Sequence, residues 1–415
     1  MRTILMLFLA MLIFSCKETN VKKSVSMKED VSILANDSLN GRKTGSEGER
    51  KAADYIARRF TNLGLQPKGT DGYLQKFTYK TSNNPHKEAE FTSGKIDSSA
   101  SLSIQSGGNV IAYLNNNAEY TVIIGAHYDH LGMGGEGSLY REGEAIHNGA
   151  DDNASGVAMM LHLADSLQQK DSPKNNNYLF IAFSGEEEGL LGSNYFVKNP
   201  TIDTKKVSYM LNMDMVGRLN TENNLAVYGL GTSPVLKQAV LANAGKLKIT
   251  ENESGVGPSD HTSFYLADIP VLHFFTGQHE DYHKPSDDTE KVNFEGMKLV
   301  SYYIFSIIKD LDSQKKLPFR KTKNESEVVP DFKVTLGVVP DYLFSGKGMR
   351  IDGISEDRPA QKAGLQKGDV VVKMGEYEVT DMMSYMKSLS KFEKGQTVEV
   401  TVERDGAKKT VNVTF

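Results

Sequence analysis

Tyr120-Thr-Val-Ile-Ile-Gly-Ala-His127, followed after one residue by Asp129, is the stretch on which the fold turns. Its unbroken apolar run, rich in β-branched residues, predicts a strand buried on both faces and ending on His127. Further along the chain, Tyr178 to Phe183, Val207 to Met213 and Val271 to Phe275 repeat the pattern, while Ser155 to Leu167 and Phe294 to Leu311 carry helical periodicity. Strands alternating with helices predict an α/β domain, a mostly parallel mixed sheet with helices on both faces. Each predicted strand is followed by an acid or an imidazole, and open sheets of this kind place their ligands beyond the carboxyl ends of the strands.

Five strings gather at those ends: Ala126-His-Tyr-Asp-His130, Gly149-Ala-Asp-Asp-Asn-Ala-Ser-Gly156, Ser184-Gly-Glu-Glu-Glu-Gly189, Asn212-Met-Asp-Met215 and Tyr282-His-Lys-Pro-Ser-Asp-Asp288. His127 and Asp129, two positions apart, can face one cavity, with His127 on a metal and Asp129 accepting its other ring N–H. Of Asp151 and Asp152, one can cap the helix that follows and the other can bridge two ions. Among Glu186, Glu187 and Glu188, one suits a ligand and a neighbour suits a general base, and spacing leaves open which does which. Asp214 sits in an apolar strand, where a charge needs a cation or a hydrogen-bond network. With His283 these residues offer imidazole and carboxylate to two divalent ions, a set that suits zinc and activates water for hydrolysis.

The five strings in this order resemble zinc metallopeptidase family 28, the secreted bacterial aminopeptidase type. The likeness runs over about residues 28 to 312, from Leu39-Asn-Gly-Arg-Lys-Thr-Gly-Ser-Glu-Gly48 to the His283 loop. It implies the zinc exopeptidase fold and two Zn2+ ions. The implied ligands are His127, Asp152 and Asp214 for one ion, and Asp152, Glu187 and His283 for the other. Gly189 and Gly192-Ser193 set the register that makes Glu186 the general acid/base, and Asp129 is the carboxylate behind His127. Tyr282 falls where some members place a phenol able to bond the tetrahedral intermediate. Ser259-Asp260-His261 matches a further family string near the pocket. His130 and His147 are not family ligands, and Lys284 departs from the small polar residue frequent at its position.

A chain of 415 residues predicts two domains. A net charge of -5 with no basic cluster gives no reason to expect nucleic acid as a partner. The apolar run Ile4 to Phe14 is short for a membrane span, and the Ile-Phe-Ser-Cys that follows resembles a bacterial lipobox. Residues 1–16 are therefore expected to be a lipoprotein signal peptide, with Cys16 lipidated and 17–30 a tether. Cys16 is the sole cysteine, so no intramolecular disulfide forms and any metal is held without thiolate. The expected location is the bacterial cell envelope, lipid-anchored on the periplasmic or outer-membrane face. Leu34 to Leu65 reads as helical, with a Gly-rich turn at 40–49, and Thr81 to Asn109 as a polar excursion.

The catalytic domain is expected over 31–313 and a charged linker over 314–330. Residues 331–415 resemble a bacterial PDZ domain, through Leu336-Gly337-Val338, Pro359-Ala360, Gly368-Asp369-Val370-Val371 and two closing strands. Such a small β-rich domain is expected to bind an extended peptide or protein segment by strand addition. The function expected of the whole is removal of N-terminal residues from peptides by a two-zinc aminopeptidase, anchored to the membrane through lipid. Its rivals are a glutaminyl cyclase or carboxypeptidase on the same fold, and a non-catalytic peptide-binding lipoprotein.

Overall fold

The computed structural model describes residues 25–80, 90–91, 104–135, 137–322, 333–341, 344, 346–354 and 358–415. Cys16 and the signal stretch lie outside the described residues.

The larger sheet contains β1 (Gln66–Pro67), β2 (Leu74–Lys80), β3 (Glu90–Phe91), β4 (Ile104–Leu114), β5 (Tyr120–His127), β6 (Asn176–Phe183), β7 (Val207–Met213), β8 (Asn224–Tyr228), β9 (Lys248–Glu251) and β10 (Val271–Phe275). The order is β3-β2-β4-β6-β5-β7-β10-β8-β9, with β1 beside β4. The centre, β6-β5-β7-β10, is parallel as expected. Toward the flanks β4 joins β6 and β8 joins β10 antiparallel, while β9 is again parallel to β8, which makes the sheet a mixed one.

Helices α1 (Met27–Leu34), α2 (Glu47–Leu63), α3 (Gly156–Gln168), α4 (Leu191–Lys198), α5 (Leu236–Ala242), α6 (His261–Tyr265) and α7 (Phe294–Leu311) accompany it. Val122 and Ile124 of β5 enter one core with residues of α1, α2, α3 and α7, whereas Ile123 enters a second core with Phe196 and Phe264. Burial on both faces is why β5 has no polar alternation. Gly125 is required within it, since a Cβ there would lie 2.4 Å from the Phe183 ring.

Three local expectations are corrected. The tether does not reach residue 30: α1 begins at Met27, where Ser26 and Glu29 form a capping box, and buried Asp30 pairs with Arg59 at 2.6 Å. Polar composition concealed a helix whose N-terminal end is satisfied by side chains. The helical pattern from Leu34 to Leu65 is broken by a 3-10 turn at Asp37–Arg42 before α2 begins, although Ala52, Ala53, Ile56 and Phe60 do share the buried face. The polar excursion from Thr81 ends by Ile104, where β4 starts and pairs with both β2 and β6. Its serines and glycines masked the strand because Ser106, Gly107 and Gly108 offer no apolar periodicity.

The first part of the 314–330 stretch is packed against the larger domain. Leu317 is buried with its N–H on Ser208 Oγ at 3.1 Å, Phe319 lies 5.4 Å from the Tyr265 ring, and Arg320 donates from Nε to the Gly231 carbonyl at 2.9 Å. Residues 323–330 lie outside the described set.

The second domain contains β11 (Val338–Pro340), β12 (Met349–Ile354), α8 (Pro359–Lys362), β13 (Val370–Met374), β14 (Tyr377–Glu378), α9 (Met382–Leu389), β15 (Thr397–Arg404) and β16 (Ala407–Thr414). Its strands pair antiparallel around Leu336, Ile351, Val371, Met374, Val400 and Val402. Buried Asp369, from the Gly368-Asp369 string, is held by Arg404 at 2.6 and 2.7 Å. Among the described residues, this domain contributes nothing to a candidate metal cluster.

Candidate metal centre

The strand ends of β5, β6 and β7 are adjacent, so His127, the Ser184–Gly189 turn and Asp214 open into one space. His127 Nε2 lies 3.4 Å from Asp152 Oδ1 and 3.3 Å from Asp214 Oδ1. His283 Nε2 lies 3.2 Å from Asp152 Oδ2 and 3.3 Å from Glu187 Oε2. For zinc bonds of about 2.0–2.1 Å, the edge of a ligand tetrahedron is about 3.3–3.4 Å. The two imidazole-to-carboxylate edges of each triad have that spacing, and Asp152 offers one carboxylate oxygen to each imidazole. The donor set therefore fits two zinc ions with a shared carboxylate.

Electrostatics agree with a site built for cations. Burial, then the charges of Asp214 and Glu187, hold the half-buried Glu186 carboxyl well above its ordinary value against the pull of His127. Burial acts upward on Asp152 too, but hydrogen bonding to His127 and the charges of His130 and His283 hold it well below. The imidazoles of His127 and His283 resist burial and are raised well above the usual range by the surrounding carboxylates.

Asp129 does more than the sequence suggests. Its Oδ1 is 3.5 Å from His127 Nδ1, long for a hydrogen bond, and the same oxygen accepts the Glu186 N–H at 3.1 Å. Its Oδ2 accepts from Thr44 Oγ1 at 3.0 Å and from the Glu187 N–H at 3.4 Å. Thus Asp129 orients the glutamate turn as well as facing the imidazole. Gly185, with φ of 73°, supplies the backbone turn that brings Glu186 and Glu187 round.

Asp151 turns away from the centre. Its Oδ1 accepts the Gly217 N–H at 2.6 Å and its Oδ2 lies 3.2 Å from His279 Nε2. It does not cap α3, contrary to the simple expectation for one of the two acids; Asn153 Oδ1 accepts the Gly156 N–H at 3.0 Å. Asp287, on the His283 loop, accepts the N–H groups of both Asp151 and Asp152 through Oδ2 at 2.9 and 3.0 Å. That contact ties the shared ligand to the loop carrying His283, and no spacing in the sequence reveals it.

Tyr282 stacks on His283, ring centroids 3.8 Å apart, and belongs to an apolar cluster with Met215, Ala226, Tyr228 and Phe275. Asp260 is buried, and burial raises its carboxyl to about 7. His261 stacks on His273 at 4.4 Å. His147 is occupied by Ser138 Oγ at 2.7 Å and the Ala145 carbonyl at 2.8 Å, so it stays off the centre.

Sequence reasoning gave no role to Arg42. Its guanidinium is buried and donates to the carbonyls of Tyr128 (2.8 Å), Leu34 (2.5 Å), Asn148 (2.6 Å) and Gly149 (3.0 Å), joining the His127 and Asp152 loops. Burial lowers it to about 10, against the attraction of Asp152 and Asp129.

Comparison with known proteins finds the family model "Peptidase family M28" over residues 109–308 and "PDZ domain" over residues 319–415. The chain is 29% identical over 205 residues to "Aminopeptidase YwaD" of Bacillus subtilis (strain 168), covering 45% of this chain and 43% of that one. It spans about half the length of the curated relatives it matches. Among solved structures it is similar to an aminopeptidase from Aneurinibacillus sp. strain AM-1, with a TM-score of 0.53, 18% identity and coverage of 71% of this chain and 94% of that one. Glutaminyl cyclase of Porphyromonas gingivalis has a similar fold, with a TM-score of 0.52, 18% identity and coverage of 69% and 97%.

Proposed function

We propose, from the premise that residues 109–308 belong to peptidase family M28 and that the PDZ match spans residues 319–415, that the chain is a two-zinc aminopeptidase. The observation that carries this reading is that His127 and His283 each stand at the edge length of a zinc tetrahedron from two carboxylates, with Asp152 common to both. His127, Asp152 and Asp214 would hold one ion, and Asp152, Glu187 and His283 the other. When bound, such ions supply Lewis acidity and lower the pKa of water.

Glu186 takes the proton of the attacking water on a carboxylate oxygen and returns it to the leaving amine. Asp129 keeps Glu186 in place through its backbone N–H. Tyr282, beside His283, donates its phenol O–H to the oxyanion that develops on the scissile carbonyl. A free substrate α-amine is recognised by the carboxylates around His283. The likeness to glutaminyl cyclase concerns fold alone, and the complete set of His127, Asp214 and His283 favours two ions and hydrolysis over cyclisation or simple peptide binding.

Peptides with a free N-terminus should be trimmed one residue at a time, and the same peptides acetylated at that end should be poor substrates by at least about tenfold in kcat/KM, the loss of one good polar contact. Efficient internal cleavage of acetylated peptides would sink the exopeptidase reading. A chain ended after Lys323, which keeps the packed Leu317 to Arg320 segment, should cleave short aminoacyl substrates at the full-length rate and differ only on long peptides. The PDZ domain, in this reading, captures extended segments by strand addition and raises their local concentration.

We place the protein at the bacterial cell envelope, held by lipid on Cys16. One acyl chain anchors only marginally, so a stable anchor needs several. Lipid labelling should disappear in Cys16→Ala, and a mature unaltered protein that begins elsewhere and carries no lipid would remove the proposal.

A further inference from the structure

Two imidazoles, not one, reach Glu187. His130 Nδ1 is 2.7 Å from Glu187 Oε1, while His283 Nε2 is 3.3 Å from Glu187 Oε2. His130, Asp152 and Glu187 also lie close enough together to be a metal triad in their own right.

The distances separate the two roles. His283 Nε2 keeps tetrahedral spacing to both Asp152 and Glu187, and its other nitrogen is taken by the Gly137 carbonyl at 2.8 Å. Because a carbonyl only accepts, Nδ1 carries a proton, which leaves Nε2 as the nitrogen that can bind an ion between the two carboxylates. His130 Nδ1 is at the distance of a charge-assisted hydrogen bond from Glu187 and is 3.9 Å from Asp152 Oδ2. That pair of distances, one short and one long, suits a donor to Glu187 and not an edge of a ligand tetrahedron.

The fold holds the His130 ring in this position. Its backbone N–H bonds the Arg42 carbonyl at 3.2 Å, and its ring meets the His283 ring edge-on at 5.8 Å. Gly149, with φ of 55°, passes so close that a Cβ would lie 2.5 Å from His130 Cδ2.

We infer that His130 is a positioning residue for the second metal: its Nδ1–H holds Glu187 Oε1, so that Oε2 alone is presented beside His283 and Asp152. The inference rests on the two-ion reading above and goes beyond it by giving the carboxylate ligand its own orienting group. Without that bond Glu187 can rotate about its terminal torsion, and the second triad loses its shape. The first triad makes no hydrogen bond to His130, which meets its Asp152 only at 3.9 Å through the other carboxylate oxygen, so it should respond much less.

Equilibrium zinc titration of the full chain, stripped of metal, tests this in the parent, His130→Ala, His130→Asn and His283→Ala. The parent should take up two equivalents. His130→Ala should keep the first with at most a small change in affinity, which also reports a folded protein, and bind the second about 10–100-fold more weakly. His130→Asn, whose amide N–H sits as many bonds from the backbone as Nδ1, should recover most of that loss. An unchanged second equivalent in His130→Ala overturns the inference. So does complete loss of the second equivalent, equal to that in His283→Ala, since it would make His130 a ligand. A parent that binds only one equivalent overturns the two-ion reading itself, and the inference with it.

Discussion

Replacing Glu186 with glutamine is expected to lower kcat by about 10²–10⁴-fold, the usual contribution of a positioned general base, while zinc content stays at the parental value. The amide keeps the shape of the carboxylate but cannot accept the proton of the attacking water. Neither triad includes Glu186, and the substitution leaves alone its backbone bonds, the N–H to Asp129 and the carbonyl that accepts from Gly189 and Leu190. Metal analysis and single-turnover kinetics on the same sample check the split. If activity and one equivalent of zinc disappear together, Glu186 is a ligand and the roles of Glu186 and Glu187 must be exchanged; if activity persists, neither role belongs to Glu186.

Arg42→Met should destabilise the folded protein by about 3–5 kcal/mol, the range for deleting one partner of a buried charged network. Methionine fills a similar volume but leaves the carbonyls of Leu34, Tyr128, Asn148 and Gly149 without their donor. It also removes a buried cation from the neighbourhood of Asp152, Asp129, Asp287 and Glu187, whose mutual repulsion then acts undiminished. Lysine should be only a partial replacement, because one ammonium cannot span carbonyls from three separate chain segments as a planar guanidinium does. Urea unfolding of metal-free protein gives the difference directly. A loss below about 1 kcal/mol, the net worth of one ordinary hydrogen bond, would show that the four contacts do not act as a clamp.

The two predictions concern residues of different legibility. Glu186 stands in a string whose context marks it, and Asp214 is conspicuous as a charge in an apolar strand. Arg42 lies in a Gly-rich turn at a φ of 50°, and its partners are 86, 106 and 107 residues away as well as 8. Nothing in the local pattern points to them. The same holds for Asp287, whose acceptance of the Asp151 and Asp152 N–H groups spans 136 and 135 residues.

The elements whose ends were read most closely are those with continuous apolar text. The strands Val207–Met213 and Val271–Phe275 and the helix Phe294–Leu311 have the bounds that their patterns predict. The misread stretches were polar ones: α1 is stabilised by a capping box and the Asp30–Arg59 pair, and β4 by pairing on both edges. Periodicity reports burial of side chains, so it fails where an element is held by its backbone or by polar partners.

By itself, the sequence determined the α/β class, the four parallel strands at the centre and the inventory of imidazoles and carboxylates beyond their ends, because burial on two faces leaves an unbroken apolar run and ligands must follow it in the chain. Tertiary structure alone decided which of these groups converge. It turned Asp151 away and Asp152 inward, set His283 at ligand spacing and His130 at hydrogen-bond spacing on the two oxygens of one glutamate, and brought Arg42 beneath both loops. Those outcomes depend on differences of less than 1 Å between atoms far apart in sequence, and only the packed fold specifies distances on that scale.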